Sequence, residues 1–365
     1  MIDLQQGYYL KEMPFSVVPD STRDIIWAGM QQTKELFERE IRASLISRST
    51  KILINYGSYG SGKTHSALYY SSNEHFDFVG NKNIKSFLLK FPKNSKNPTE
   101  DIFQSFIGKY GIRKLIEDLK EIRISIDDFE SFLEGYNDDE EIRNVIIKIL
   151  EFESLDDTKR VLYNKATTTF LNNNGIFKKV DNDNVIEVFS IIIKLLTYQK
   201  NDLLIFWIDE FEDITTLNRQ NANKMTSFIR DLIDNIPQKL LIFLNFVPTA
   251  FVDLESLYSY FIGSSLERRV QKGVEFQAFS KEDMKEYVKD ALRIYRENTF
   301  TDENLFFPFS ELLLDEIYRE VSSELTVGKL NKILSEILEN AILDSQQEIN
   351  LEYYNSIKNK LYSIL

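Results

Sequence analysis

The sequence predicts an α/β protein: a parallel sheet carrying a phosphate-binding loop, a long helical insertion, and an all-α C-terminal lid. Three observations predict it. Gly57-Ser58-Tyr59-Gly60-Ser61-Gly62-Lys63-Thr64 has the G-x-x-x-x-G-K-T spacing of a phosphate loop, set between an apolar run and a helical pattern. Leu203-Leu204-Ile205-Phe206-Trp207-Ile208 is an unbroken apolar run ending in Asp209-Glu210, the pattern of a strand buried on both faces. Residues 280–365 contain four amphipathic helical patterns.

Taken in order, Met13-Pro14-Phe15-Ser16-Val17-Val18-Pro19-Asp20 is an extended, proline-punctuated approach. Ser21 or Thr22 is placed to cap a helix running through Trp27 toward Ile41, with Ile25, Ile26, Met30, Leu36 and Ile41 in partial helical period. Lys51-Ile52-Leu53-Ile54-Asn55-Tyr56 is the strand before the loop, and His65-Ser66-Ala67-Leu68-Tyr69-Tyr70 begins the helix after it. Lys85-Ser86-Phe87-Leu88-Leu89-Lys90-Phe91 reads as a short strand stopped by Pro92. Asn97-Pro98-Thr99-Glu100 opens a helix carrying Ile102, Phe103, Phe106 and Ile107 on one face. Residues 112–199 stay mostly helical and acidic, with Ile142, Val145, Ile146, Ile149 and Leu150 as one apolar face. The acidic clusters at 127–128 and 137–141 read as solvated faces and turns, not as metal sites. Leu240-Leu241-Ile242-Phe243-Leu244-Asn245-Phe246-Val247 is a third long apolar strand, closed by Pro248.

Composition bounds the class. The 365 residues are 43% hydrophobic and 28% charged, enough for a sizeable core in about two domains. With no cysteine, disulfides and thiolate zinc sites are excluded and a cytoplasmic location is expected. Met1-Ile2-Asp3-Leu4-Gln5-Gln6-Gly7 is not a signal-peptide pattern, and the apolar runs are too short to span a bilayer, so no membrane role is expected. A net charge of −13 argues against coating by nucleic acid and leaves DNA only a local basic patch. The two histidines, His65 and His75, cannot form a His-based metal cluster.

The chemistry concentrates at three places. A triphosphate needs inward-pointing backbone N–H groups, so glycine is required where the chain wraps it, and the helix N-terminus behind adds its dipole. Residues 57–64 are therefore expected to bind a nucleoside triphosphate, with Lys63 on the β- and γ-phosphates and the Thr64 hydroxyl on Mg²⁺. His65 adjoins the loop and is counted with it, packing or capping there. Ligands bind outside the carboxyl ends of parallel strands. Asp209 is expected to hold Mg²⁺, directly or through water, and Glu210 to polarise the attacking water. Asn245 interrupts an otherwise apolar strand; its amide needs partners, supplied either by a γ-phosphate and its water or by a nearby turn. Trp27 is suited to packing against adenine or, alternatively, into the core.

These motifs together resemble the AAA+ superfamily of P-loop ATPases. Residues 57–64 match Walker A, residues 203–210 match Walker B with its glutamate, and Asn245 falls where sensor 1 is expected. The resemblance implies a sheet of order 5-1-4-3-2. Ser264-Ser265-Leu266-Glu267-Arg268-Arg269-Val270 is similar to the segment bearing the arginine finger, followed by a last strand beginning near Val274 and the lid. This tail, like the Pro14-Phe15 to Pro19-Asp20 segment, resembles the origin-initiator and transposition-regulator branches. Thr326-Val327-Gly328-Lys329 resembles the sensor 2 entry, with Lys329 where many members have arginine; lysine supplies a cation without the bidentate fork.

What the resemblance implies is a core over 1–279, including a helical insertion at about 112–182, and a lid over 280–365. The implied activity is Mg²⁺-dependent ATP hydrolysis, with Arg268 or Arg269 reaching the nucleotide of a neighbouring subunit, hence a homo-oligomer formed on ATP. The expected partner is a protein or effector, in a mobile-element or antiviral-defence setting. The alternative is a nucleotide-gated scaffold with negligible turnover. DNA loading or remodelling is suggested by the initiator-like tail but opposed by the acidic balance and the lack of a winged-helix pattern after the lid.

Overall fold

The computed structural model describes residues 3–16, 25–72, 74–249, 253–257, 269–301 and 303–361. The chain divides into two units, each with its own core: one of Met1–Phe37, Gly57–Tyr69 and Glu275–Leu365, the other of Glu38–Tyr56 and Tyr70–Val274.

The apolar runs become the strands β1 (Lys51–Gly57), β2 (Ile84–Lys90), β3 (Leu203–Asp209) and β4 (Leu240–Phe246), joined by β5 (Val270–Phe276). Their order is β2-β3-β4-β1-β5, which read from the other edge is 5-1-4-3-2, as expected. β1 and β4, β3 and β4, and β2 and β3 pair in parallel. Every residue of β3 and β4 is buried, which is why these two carry continuous hydrophobic sequence. β5 starts at Val270, earlier than expected; as an edge strand it alternates buried and exposed positions, so Gln271 and Lys272 hide it from an apolar-run search.

Between β2 and β3 the helices Pro98–Tyr110, Ile112–Ile124, Phe129–Glu134, Glu140–Glu151, Leu155–Leu162, Thr168–Asn173 and Val185–Gln199 share the second unit's core, where Leu119, Ile146 and Ile191 are fully buried. The expected face of Ile102, Phe103, Phe106 and Ile107 is buried, as are Ile142, Val145, Ile146, Ile149 and Leu150. Two of the acidic residues prove to be helix caps. Asp128 accepts from the Ser131 N–H, and Asp139 from those of Glu141 and Ile142. The C-terminal helices Lys281–Tyr295, Glu311–Val321, Val327–Leu343 and Leu351–Leu361 fold around Leu313, Leu334 and Ile337.

One helix differs from expectation. The early helix spans Gln31–Ser47, not a stretch through Trp27, and residues 25–28 are outside it. Gly29 and Met30 adopt left-handed φ of +56° and +49°, which no α-helix accommodates. A Cβ on Gly29 would lie 2.8 Å from the Tyr287 Cα, so the close backbone approach also demands glycine. The expected caps, Ser21 and Thr22, lie outside the described residues.

Candidate nucleotide site

In the second unit the carboxyl edge of the sheet is built by register. Asn55 on β1 pairs with Asn245 on β4, while Ile208, just before Asp209, pairs with Leu244. The three polar side chains join up: Asn55 Nδ2 donates to Asn245 Oδ1 and Asn245 Nδ2 donates to Asp209 Oδ1, each at 3.0 Å. The backbone N–H of Val274 on β5 donates to Asn55 Oδ1, also at 3.0 Å. Asn55, Asn245 and Asp209 are buried, so partners are obligatory; an unpaired buried amide costs about 1–3 kcal/mol.

Beyond β3 the backbone turns sharply. Glu210 has φ +60° and ψ +39°, a left-handed conformation costing a non-glycine residue about 1 kcal/mol, and it starts the 3-10 turn Phe211–Thr216. Its side chain is exposed and makes no hydrogen bond or ion pair among the described residues. Two acids downstream are instead engaged: buried Glu212 accepts from the Val247 N–H at 3.1 Å, tying the turn to the end of β4, and Asp213 pairs with Lys93 at 3.2 Å.

In the first unit, residues 58–62 form the loop that follows Gly57, and Lys63–Ser71 the helix behind it. Gly60 and Gly62 have φ of +72° and +105°. A Cβ on Gly57 would lie 2.6 Å from the Phe276 carbonyl oxygen, so substitution there would force a backbone shift. Lys63 is only 7% exposed, and its ammonium donates to the carbonyls of Gly57 and Ser58 at 2.8 Å and to Ser61 Oγ at 3.1 Å. The loop also touches the helix Val327–Leu343: the Gly328 N–H, one of the N–H groups free at that helix's start, donates to the Gly60 carbonyl at 2.8 Å. Ser58, Tyr59 and Gly60 are exposed, Tyr59 at 73%. Thr64 is half-buried at the second position of its helix.

His65 Nε2 lies 2.6 Å from the Ile26 carbonyl, which can only accept, so that nitrogen carries the proton. Burial holds its pKa below the ordinary histidine value, against the opposing pull of that carbonyl. Trp27 is half-buried, edge-on to Tyr69 at 5.3 Å and to Phe37 at 6.4 Å, and its Nε1 donates to the Gly29 carbonyl. Lys329 pairs with Glu324 at 3.1 Å on the surface, and it is the neighbouring Gly328 that meets the loop. Arg269 pairs with Asp234 at 3.0 Å, both well exposed; Arg268 lies outside the described residues.

Sequence reasoning passed over Asn55, Gly328 and Glu212. The signal for Asn55 was the same that singled out Asn245, one polar residue inside an apolar strand. Gly328 carried no comparable signal, since a helix-entry glycine has many causes.

The sequence matches no protein-family model and no curated protein sequence. The fold, by contrast, has relatives among solved structures. The chain is similar to the ORC2 protein of Aeropyrum pernix in its ADPNP–ADP complexes, with TM-score 0.56, 11% identity, and coverage of 93% of this chain and 70% of that one. The ADP form of that protein gives TM-score 0.55 at 11% identity, covering 92% and 69%. Drosophila ORC bound to DNA gives TM-score 0.50 at 10% identity, covering 97% of this chain and 64% of that one. At such identity the likeness concerns the path of the chain. With the 5-1-4-3-2 sheet order and the C-terminal helices, it establishes that this chain has the AAA+ P-loop fold, as in the ORC proteins above.

Proposed function

We propose that the chain binds and hydrolyses ATP with Mg²⁺ and assembles through its nucleotide site to act on a protein partner. The observation that carries this is the buried pair of Asp209 and Asn245 at the carboxyl edge of the sheet, followed at once by the exposed, left-handed Glu210. A purely structural strand end has no need of a buried carboxylate next to an exposed one in a left-handed conformation.

The residues fit the nucleotide. Lys63 is already ringed by oxygen acceptors, so phosphate oxygens would replace the Gly57 and Ser58 carbonyls without a new desolvation cost. Thr64 and Asp209 are each candidate ligands for Mg²⁺, an ion that would take its other oxygens from phosphate and water. Bound there, the ion would neutralise charge on the phosphates. Glu210 would accept the proton of the attacking water, Asn245 would orient that water, and Lys63 would stabilise charge on the γ-phosphoryl oxygens. Trp27, half-buried against Tyr69, would offer aromatic surface for the adenine. Residues 57–62 would wrap the phosphates with their N–H groups.

Arg268 and Arg269 are the candidates for a cation supplied to a neighbouring subunit. The exposed Arg269–Asp234 pair is worth well under about 1 kcal/mol, so Arg269 is easily released. Among the described residues no helix is long and apolar enough to cross a membrane. The net charge of −13 favours a protein partner over DNA, and a mobile-element or antiviral-defence role is one setting that such an ATPase would suit.

The test is Glu210→Gln. ATP affinity should stay within about threefold of wild type while phosphate release falls at least about 100-fold; undiminished turnover in that variant defeats the assignment. A second function, a nucleotide-gated scaffold with negligible turnover, is favoured by the Gly60–Gly328 contact, through which phosphate occupancy of the loop would be felt by a C-terminal helix. Steady-state phosphate release by wild type, with and without DNA, separates the two.

A further inference from the structure

We infer that Asn55 is a positioning residue of the hydrolytic centre, fixing the orientation of the Asn245 amide and tying Asp209 to the edge strand β5. This rests on the ATPase function proposed above.

The polarity of the chain of bonds is set at both ends. The Val274 N–H can only donate, and at the other end Asp209 Oδ1 accepts from Asn245 Nδ2. Between them the two amides must run the same way, Oδ1 toward β5 and Nδ2 toward β3. Turning either one over would set oxygen against oxygen on one side and N–H against N–H on the other, at side chains buried from solvent. Asp209 alone would orient Asn245 while its full charge is available. A cation held by that carboxylate would compete for its charge and weaken its hold. The Asn55 Nδ2 donor would then keep the Asn245 amide aligned.

The backbone is built around this amide. A Cβ at Gly273 would lie 2.5 Å from Asn55 Oδ1 and 3.0 Å from the Ile54 carbonyl oxygen, so β5 comes this close to β1 only because the residue before Val274 is glycine. β5 begins one residue after Arg269. A single hydrogen-bonded line therefore joins the acid at the end of β3 to the strand next to the candidate arginines.

The test compares Asn55→Asp, Asn55→Leu and Gly273→Ala with wild type, measuring fluorescent-ATP affinity, steady-state phosphate release and melting temperature. Asn55→Asp preserves volume and the acceptor for Val274 but puts an acceptor where Asn245 needs a donor. In all three variants ATP affinity should stay within about threefold while turnover falls about tenfold or more. Ile242→Val, a buried β4 residue, should lower the melting temperature and leave turnover alone. Turnover within about twofold of wild type in both Asn55 variants, or affinity and turnover falling together in step with the melting temperature, would overturn the assignment. If wild type itself releases no phosphate, the ATPase function fails, and the ladder is then judged by hydrogen exchange of the Asn245 side-chain amide: protection in wild type that vanishes in Asn55→Leu upholds it, and equal exchange in the two refutes it.

Discussion

The Gly60–Gly328 contact makes a quantitative prediction. In Gly328→Ala the new Cβ would sit 3.0 Å from the Gly60 Cα and 3.4 Å from its carbonyl oxygen, and the obstruction is backbone, which cannot swing aside as a flexible side chain would. Such overpacking costs about 1–3 kcal/mol. Within the helix Val327–Leu343, alanine is preferred to glycine by about 1 kcal/mol, so the two effects largely cancel in global stability and the melting temperature should barely move. They do not cancel in the loop. Gly60 must retreat, losing its 2.8 Å bond from the Gly328 N–H and rotating the peptide that joins it to Ser61. ATP affinity should therefore weaken by about 5–30-fold, the equivalent of about 1–2 kcal/mol. Lys329→Ala is the comparison: its partner Glu324 is 78% exposed, so the pair contributes under about 0.5 kcal/mol and affinity should change less than about twofold. Titration with a fluorescent ATP analogue reads both. Unchanged affinity in Gly328→Ala together with a large loss in Lys329→Ala would refute the reasoning, because the helix would then be sensing nucleotide through its side-chain cation.

Two further predictions concern stability. Asp118 is buried, which by itself raises a carboxyl pKa, yet hydrogen bonds from Lys114 and Tyr110 and the charge of Lys85 bring it below the ordinary value. The depressed folded-state pKa means that its contribution is complete above the ordinary carboxyl value of 3.8 and is lost as pH falls below it. Asp118→Asn should cost about 1–2 kcal/mol at neutral pH, chiefly by leaving the half-buried Lys85 without its counter-charge, and should flatten the acid limb of a urea-denaturation series; an unaltered limb would show that folding does not depress the Asp118 pKa. Ser280→Ala removes one half of the capping box that starts the helix Lys281–Tyr295, and should lower stability by about 1 kcal/mol without affecting ATP binding, as read by denaturant midpoint and nucleotide titration.

The loop, the two central strands and the four C-terminal helices were legible in the sequence because each is a local signal. The spacing from Gly57 to Thr64, the runs of β3 and β4, and the apolar periods of the late helices all depend on residues within a few positions of one another. The early helix was misplaced because its boundary is not local: Gly29 turns left-handed where it meets the backbone of Tyr287, far along the chain. The start of β5 was missed for a related reason, since an edge strand buries only one face and keeps polar residues on the other.

At the candidate site the division follows the same physical line. Residue type and spacing alone singled out Lys63, Thr64, Asp209, Glu210 and Asn245 as candidates for binding and hydrolysing a triphosphate, because that chemistry calls for a cation, a hydroxyl, two acids and an amide next to strand ends. Which groups Asn245 bonds to, how Glu210 is turned, and that Gly328 rather than Lys329 faces the loop were decided by folding. Those facts depend on the register of β1 against β4, which brings Asn55 and Asn245 together across 190 positions of sequence, and on a glycine-to-glycine approach that no pattern of neighbours encodes.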